Sequence, residues 1–518
     1  MQLGAALVGE LAPPRRQAPS LWHSFSALPQ PVTGEALIPT LIFMINRSLS
    51  TLVTWHNLML ITLLVIGNVA NALAQDTETR PGVKRPGTDT VTVEHPIKVP
   101  FEGMDLTWVN GQNRQSIFPL QVKDKDGETV LTGTTLLDGY FNYNFARPLD
   151  HTQTISAVTA RANEFSLALA SAGIESNYKN IIGRLWVQTG SMLNVVQEAD
   201  GSVLRGRNTS TGNLKFIREA AAGYHFNKAY GLNVELGIFM SFIGLESYVM
   251  QENWNYQRSL VCDFTPFYFQ GARVQFYPTK NFKTELWVMN GWQTYNSVNK
   301  QPGFGSSNYF RPSENLQLVA NFYYGNDSRP STDSTAKGRA AYPNIIRFHH
   351  DNSIVARYYH KDKTKALRGI TQAAFSLNNH YGFQSGEGLL ARDNFMLGSS
   401  LANRVWFAKN KMAISARVGF VKNPSRYLSF SPSVVGFTNT DASKLTAKEV
   451  TLTYDIMPSD FVTFRFEYLH RSANVPYFAG PGGTTSPSGY ADQPLPANYT
   501  PDLRNYENRA ILSVNFRL

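Results

Sequence analysis

The chain has 518 residues, of which 17% are charged and 12% aromatic, with a mean hydropathy of −0.25 and one cysteine, Cys262. That hydropathy excludes a bundle of long apolar helices, and the single thiol excludes internal disulfides and cysteine-built metal sites. The formal charge of +10 comes with no Lys/Arg run, phosphate loop or zinc spacing, so no nucleic-acid partner is expected.

In chain order, residues 1–43, with Pro13-Pro14-Arg15-Arg16, read as translated upstream sequence ahead of a start at Met44. Residues 44–74 read as a signal peptide: Arg47 gives a positive n-region and Leu58–Ala70 a short apolar core. Ala72-Leu73-Ala74 is a cleavage site ahead of Gln75. The apolar run is too short for a span of about 20 residues. Residues 75–132, rich in Thr, Pro and Lys, read as a flexible periplasmic lead-in with a short ordered patch at Met104–Val109.

From about Leu137 the chain alternates apolar and polar residues, the period of a strand with two unlike faces, which places a β-domain at 133–518. Leu232, Val234, Leu236, Ile238 and Met240 oppose Asn233, Glu235 and Gly237. Met412, Ile414, Ala416, Val418 and Phe420 oppose Ser415, Arg417 and Gly419. In the last segment Ala510, Leu512, Val514, Phe516 and Leu518 share a face, interrupted opposite by Ile511.

The connections discriminate further. Long polar stretches cover about 147–162, 192–213, 243–267, 293–302, 326–343, 379–394, 422–445 and 471–506. Tight turns fall between them, such as Thr279-Lys280-Asn281, Pro312-Ser313, Ala408-Lys409-Asn410 and Met457-Pro458-Ser459. Long loops on one side and short turns on the other mark an all-β transmembrane antiparallel up-and-down β-barrel. The count is about 16 strands, with both termini periplasmic. About 16 strands leave room for water, whereas about eight would be filled by side chains.

Several segments carry a family likeness. Gly237-Ile238-Phe239 and Ile243-Gly244-Leu245-Glu246-Ser247 lead into Glu252–Ser259, then Thr265-Pro266-Phe267, Gly271-Ala272-Arg273 and Val288–Trp292. With Asp138–Phe145 and His350-Asp351-Asn352-Ser353, this resembles the OmpL-like family of outer-membrane β-barrel porins across most of 130–518. The resemblance implies a barrel with pore-like function in the outer membrane of a Gram-negative bacterium, and it supplies no substrate.

With apolar faces toward lipid, the opposite faces line a lumen. Candidate lining residues are Arg184, Glu235, Arg273, Gln275, Lys283, Glu285, Arg347, Arg357, Arg417, Glu449, Arg465, Glu467, Arg509 and Arg517. Their basic excess admits two readings: a wall that prefers anions, or arginines paired with glutamates across strands that only stiffen it. The third long loop, 243–267, carries Tyr248, Trp254, Tyr256 and Phe264 beside Glu246, Glu252, Arg258 and Asp263. Aromatics in that number are meant for burial. Either the loop folds inward as a constriction, or it packs outside as a cap.

No Gly-x-Ser-x-Gly motif appears, and the ten histidines are scattered, so no enzyme, cofactor or metal is expected. The expected partners are outer-membrane lipid, small polar or anionic solutes and the barrel-assembly machinery. Whether the barrel forms a homo-oligomer stays open, as does the alternative of a ligand-binding or adhesive barrel acting through its long loops.

Overall fold

The computed structural model describes residues 98–109, 118–202, 211–328, 334–335, 339–340, 344–361, 369–424, 427–428, 445–492 and 495–518. The expected upstream stretch 1–43 and leader 44–74 lie outside the described residues.

Sixteen long strands follow one another: β1 (Thr129–Asn144), β2 (Phe165–Tyr178), β3 (Ile181–Thr189), β4 (Ile217–Phe226), β5 (Leu232–Met240), β6 (Tyr268–Thr279), β7 (Phe282–Met289) and β8 (Gly303–Ser313), then β9 (Leu316–Asn326), β10 (Ile346–His360), β11 (Ile370–Ser385), β12 (Phe395–Phe407), β13 (Met412–Asn423), β14 (Leu445–Ser459), β15 (Val462–Ala473) and β16 (Tyr506–Arg517). Each pairs antiparallel with its chain neighbours. β1 also pairs with β16, in register from Leu136 opposite Arg517 to Asn144 opposite Arg509, and this closes the sheet. Closure is required in a bilayer, because lipid offers no partner for the N–H and C=O groups of an open edge.

The faces are inverted relative to a soluble protein. On β13, Ile414 and Val418 are 44% and 50% exposed, whereas Ser415 and Arg417 are buried. On β14, Val450 and Leu452 point out while Thr451 and Thr453 are buried. Apolar residues outside and polar residues inside fit a barrel solvated by lipid.

The short connections have defined chemistry. Lys179 and Asn180 both adopt positive φ, 49° and 68°, between β2 and β3. That is what a two-residue type I′ hairpin demands, and its twist matches the flanking strands. The long connections are 145–164, 190–216, 241–267, 290–302, 327–345, 386–394, 424–444 and 474–505, which follows the expected alternation. Two boundaries differ by more than three residues. The segment 379–385, expected as loop, is the end of β11, where Asn379 interrupts an outward row of Leu377, Tyr381 and Phe383 and so hides the alternation. β1 begins at Thr129 rather than 133 and is preceded by a short strand, Gln121–Lys123, that pairs with it.

Both ends of the sheet enter from the short-turn rim, where Leu518 N–H bonds Thr135 O at 3.0 Å. The segment Lys98–Val109 docks at the same rim. Phe101 N–H donates to Lys280 O in the β6–β7 turn (2.8 Å). The Trp108 indole N–H donates to Glu314 O in the β8–β9 turn (3.0 Å).

Candidate pore and constriction

The connection 241–267 between β5 and β6 lies inside the barrel, nearly every residue from Phe242 to Phe267 being buried or half-buried. Its aromatics start the fold inward: Phe242 stacks on Trp287 of β7, with ring centroids 5.0 Å apart, and Trp254 meets Trp406 of β12 edge-on at 5.8 Å. Two wall glycines make the seat. A Cβ on Gly305 would stand 2.4 Å from the Phe242 ring, and one on Gly398 would stand 2.5 Å from a Val261 methyl.

Polar anchors then fix the loop to the wall from β12 to β16. Glu467 accepts the backbone N–H groups of Tyr256 (2.7 Å) and Gln257 (2.9 Å). Arg404 donates to Trp254 O (3.0 Å), Arg465 to Met250 O (2.9 Å) and Arg417 to Gln257 O (2.8 Å). Leu260 N–H reaches Glu449 (3.1 Å), and Tyr256 hydroxyl reaches Asp138 of β1 (2.8 Å). A loop without its own ladder must find partners for its backbone groups. Here the basic row of the wall supplies many of them.

The neighbouring loops close over this arrangement. Residues 154–159 are buried, with Ser156 and Thr159 both on the Gln257 side-chain oxygen (2.6 and 3.0 Å). Asp150 receives the backbone N–H groups of Thr484 (2.6 Å) and Thr485 (2.9 Å) from 474–505. Burial alone would raise the Asp150 carboxyl, but these bonds and that of Thr152 outweigh it and hold it below the usual carboxylate range.

The candidate lining residues point inward, and each basic one has a carboxylate. Arg184 and Arg273 share Glu235; Lys283 pairs with Glu285 (2.8 Å) and Arg347 with Asp327 (3.6 Å). Arg357 binds Asp105 (2.6 Å) and Glu314 (2.9 Å), Arg465 binds Asp455 (2.9 Å) and Arg509 binds Glu507 (3.3 Å). Arg417 lies between Glu246 (2.8 Å) and Glu449 (3.2 Å). Arg417, Arg465, Glu467 and Arg509 sit beneath the loops with almost no exposure, so they present no free charge to lumenal water. Cross-strand and strand–loop pairing accounts for the arginines that the basic excess had suggested for solute contact.

The six loop candidates divide into two groups. Glu246, Glu252 and Trp254 line a cavity of about 320 Å³. Tyr256, Arg258 and Asp263 are buried between loop and wall: Arg258 lies over the Phe267 ring at 4.5 Å, and Asp263 meets Arg471 at 3.3 Å. The cavity runs between the loop and the opposite wall, which contributes Tyr277, Lys283, Tyr309, Arg311, Gln317 and Asn378. Phe101 and Val109 of the docked N-terminal segment also line it.

Arg311, Gln317, Phe101 and Trp108 were not among the candidates. Alternation along β8 puts Ser307, Tyr309 and Arg311 on one face, so Arg311 could have been found from the sequence. The docking of Phe101 and Trp108 has no periodic signal. Among the described residues no cluster of His, Cys, Asp and Glu able to hold a metal occurs.

The family model described as Putative beta-barrel porin-2, OmpL-like, matches residues 131–495. No curated protein matches the sequence. Solved structures of similar fold include OprB of Pseudomonas putida at high pH, at 12% identity and a TM-score of 0.46, covering 75% of this chain and 94% of that one. An anion-selective porin from Comamonas acidovorans matches at 8% identity and a TM-score of 0.44, covering 76% and 100%. The outer membrane channel DcaP of Acinetobacter baumannii matches at 9% identity and a TM-score of 0.41, covering 77% and 100%.

Proposed function

The chain belongs to the OmpL-like beta-barrel porin family, and from that premise we propose that small polar solutes diffuse along the side of its lumen that the inward loop leaves free. It is a porin-like channel of the Gram-negative outer membrane, with its apolar outer face in lipid. The observation that carries the proposed path is the cavity left beside the loop. Most polar anchors of 241–267 go to the wall from β12 to β16, with further bonds from Gly244 to Asp351 of β10 (3.1 Å) and from Tyr248 to Gln188 of β3 (3.0 Å), and the cavity lies mainly against the wall from β6 to β12. Partial filling narrows a wide barrel, and narrowing is how a porin excludes larger solutes.

In this reading the short-turn rim and both ends of the sheet face the periplasm, and the long loops face outward. The segment 75–97 then leads from a cleaved leader to the docked residues 98–109, and the last strand is the element offered to the barrel-assembly machinery. No enzymatic activity is part of the reading; Arg417, Arg465 and Arg509 are committed to loop anchoring and to ion pairs.

Liposome swelling tests it. Vesicles holding the folded full-length protein swell in arabinose and in glucose, with the rate falling steeply from pentose to disaccharide. Folded, heat-modifiable protein that gives no swelling with any of these sugars refutes passive diffusion.

A further inference from the structure

The outer face of the barrel is apolar at mid-height from β13 to β16, where Val418, Leu452, Phe466 and Leu512 stand exposed. From β7 to β12 it is not. Thr284, Asn308, Ala320, Asn352, Asn379 and Ser399 are successive cross-strand partners on six neighbouring strands, and each is half-buried. Alternation turns them outward, since their chain neighbours Asp351, Asn378 and Ser400 are buried inside. The row lies within the apolar band, not at its edge: Leu377 and Tyr381 flank Asn379 along β11, and Leu397 and Leu401 flank Ser399 along β12. Sideways it stops at aromatics, Phe276 of β6 opposite Thr284 and Phe420 of β13 opposite Ser399.

The members bond one another. Ser399 hydroxyl donates to Asn379 Oδ1 (2.8 Å), and the Asn379 amide donates to Asn352 Oδ1 (3.1 Å). The Asn352 amide reaches Nε2 of the outward His350 (3.1 Å), whose Nδ1 donates to Asn321 O (2.9 Å). At the other end Thr284 hydroxyl donates to Asn308 Oδ1 (2.8 Å), and the Asn308 amide donates to Ser306 Oγ (3.0 Å) and Ala320 O (3.2 Å). The bonding is incomplete. An asparagine amide carries two N–H donors. Among the described residues, the second N–H of Asn352 and of Asn379 has no acceptor, and both residues keep accessible surface on the outer face.

Acyl chains accept no hydrogen bonds, so an amide turned toward them costs free energy. Within a membrane, small side chains let two walls approach closely, and hydroxyl and amide groups then bond across the contact. The row is uncharged, and its asparagines, serine and threonine both donate and accept, so it complements a second copy of itself about a symmetry axis. Six strands about 4.8 Å apart make a wall about 24 Å wide. Over an apolar band about 25 Å tall that is roughly 600 Å² in projection, of the same order as the about 800 Å² of accessible surface each partner gives to a stable interface. We infer that the outer face of β7–β12 is the surface through which copies of this chain associate in the membrane, with Asn352 and Asn379 of one copy bonded to the row of the next. The surface is on the lipid side and stands apart from the diffusion path.

Sedimentation of the folded full-length protein in detergent, together with distances between spin labels in lipid vesicles, tests this. Labels go on Ile354→Cys, beside the row, and on Leu512→Cys, on the far wall; Cys262 is buried and stays unlabelled. The parent sediments as two or more copies, and Ile354 labels lie closer to each other than Leu512 labels do. Replacing both Asn352 and Asn379 with leucine raises the dissociation constant about tenfold or more. Leucine suits lipid, so the barrel still folds, and a row facing only lipid would lose nothing by the change. Ala320→Trp, a wedge at the centre of the row, weakens association as a second variant. A parent that sediments as a single chain overturns the interface. Leu512 labels as close as Ile354 labels, or association unchanged in the folded leucine variant, overturns it too. Vesicle swelling by a single-chain parent removes the interface and leaves the channel, whereas association through this wall without swelling removes the channel and leaves the interface.

Discussion

Replacing Trp108 with alanine should unlatch the N-terminal segment from the short-turn rim. Trp108 is 1% exposed and packs with Trp254, Val355, Ala374, Ala402, Trp406, Ala413 and Met457. Its indole donates to Asp105 O and Glu314 O, both at 3.0 Å, and the Arg357 guanidinium lies 5.3 Å from its ring. Truncating a buried tryptophan costs about 3–5 kcal/mol. Because Trp108 lies outside the sixteen strands, that loss falls on local docking rather than on the barrel. At 1.4 kcal/mol per factor of ten, the docked-to-undocked ratio falls by roughly two to three and a half orders of magnitude. Phe101 and Val109, which line the cavity, leave with the segment. Two readouts follow on the full-length variant: larger single-channel steps in a planar bilayer, and faster tryptic cleavage after Lys98. Trp108→Phe, which keeps most of the buried ring, should stay close to the parent protein. Parental conductance together with parental cleavage in Trp108→Ala would refute the idea that this residue holds the segment at the short-turn rim.

Three further outcomes are expected. Glu467→Ala leaves the Tyr256 and Gln257 N–H groups unpaired in the loop–wall interface, at about 1–3 kcal/mol each; hydrogen exchange at both amides should accelerate and channel steps should become noisier. Gly398→Val drives a side chain into Val261, and overpacking of this kind costs about 1–3 kcal/mol; the unfolding midpoint in urea should fall while the barrel still assembles. Asp150 is held below its unfolded pKa, so its contribution is complete above the usual carboxylate range and is lost as pH falls through the lowered value. Amide exchange at Thr484 and Thr485 should therefore rise on acidification, and Asp150→Ala should show the fast exchange at neutral pH.

Much of the barrel can be read from the sequence, because lipid on one side and water on the other impose a period of two. Rows such as Ile414, Ala416, Val418 and Phe420 state their orientation directly. The sorting of loop lengths is legible for the same reason, and it weakens only where 361–369 and 386–394 are alike in length. Orientation is not exposure, however. Arg417, Arg465 and Arg509 point inward as alternation requires, yet they are covered, because which loop lies over which wall depends on contacts more than a hundred residues apart, such as Arg417 with Gln257. The aromatic content of 243–267 marked that loop for burial without saying on which side of the rim. Only the tertiary geometry separates Glu246, Glu252 and Trp254, at the cavity, from Tyr256, Arg258 and Asp263, within the interface.

The central claim, an outer-membrane channel whose free path runs beside the inward loop, is tested most directly by single-channel recording in a planar bilayer under a potassium chloride gradient. The folded full-length protein should give stable steps, smaller than those of Glu467→Ala at its noisiest. Silence from folded, heat-modifiable protein, in the parent and in Trp108→Ala alike, would contradict the account.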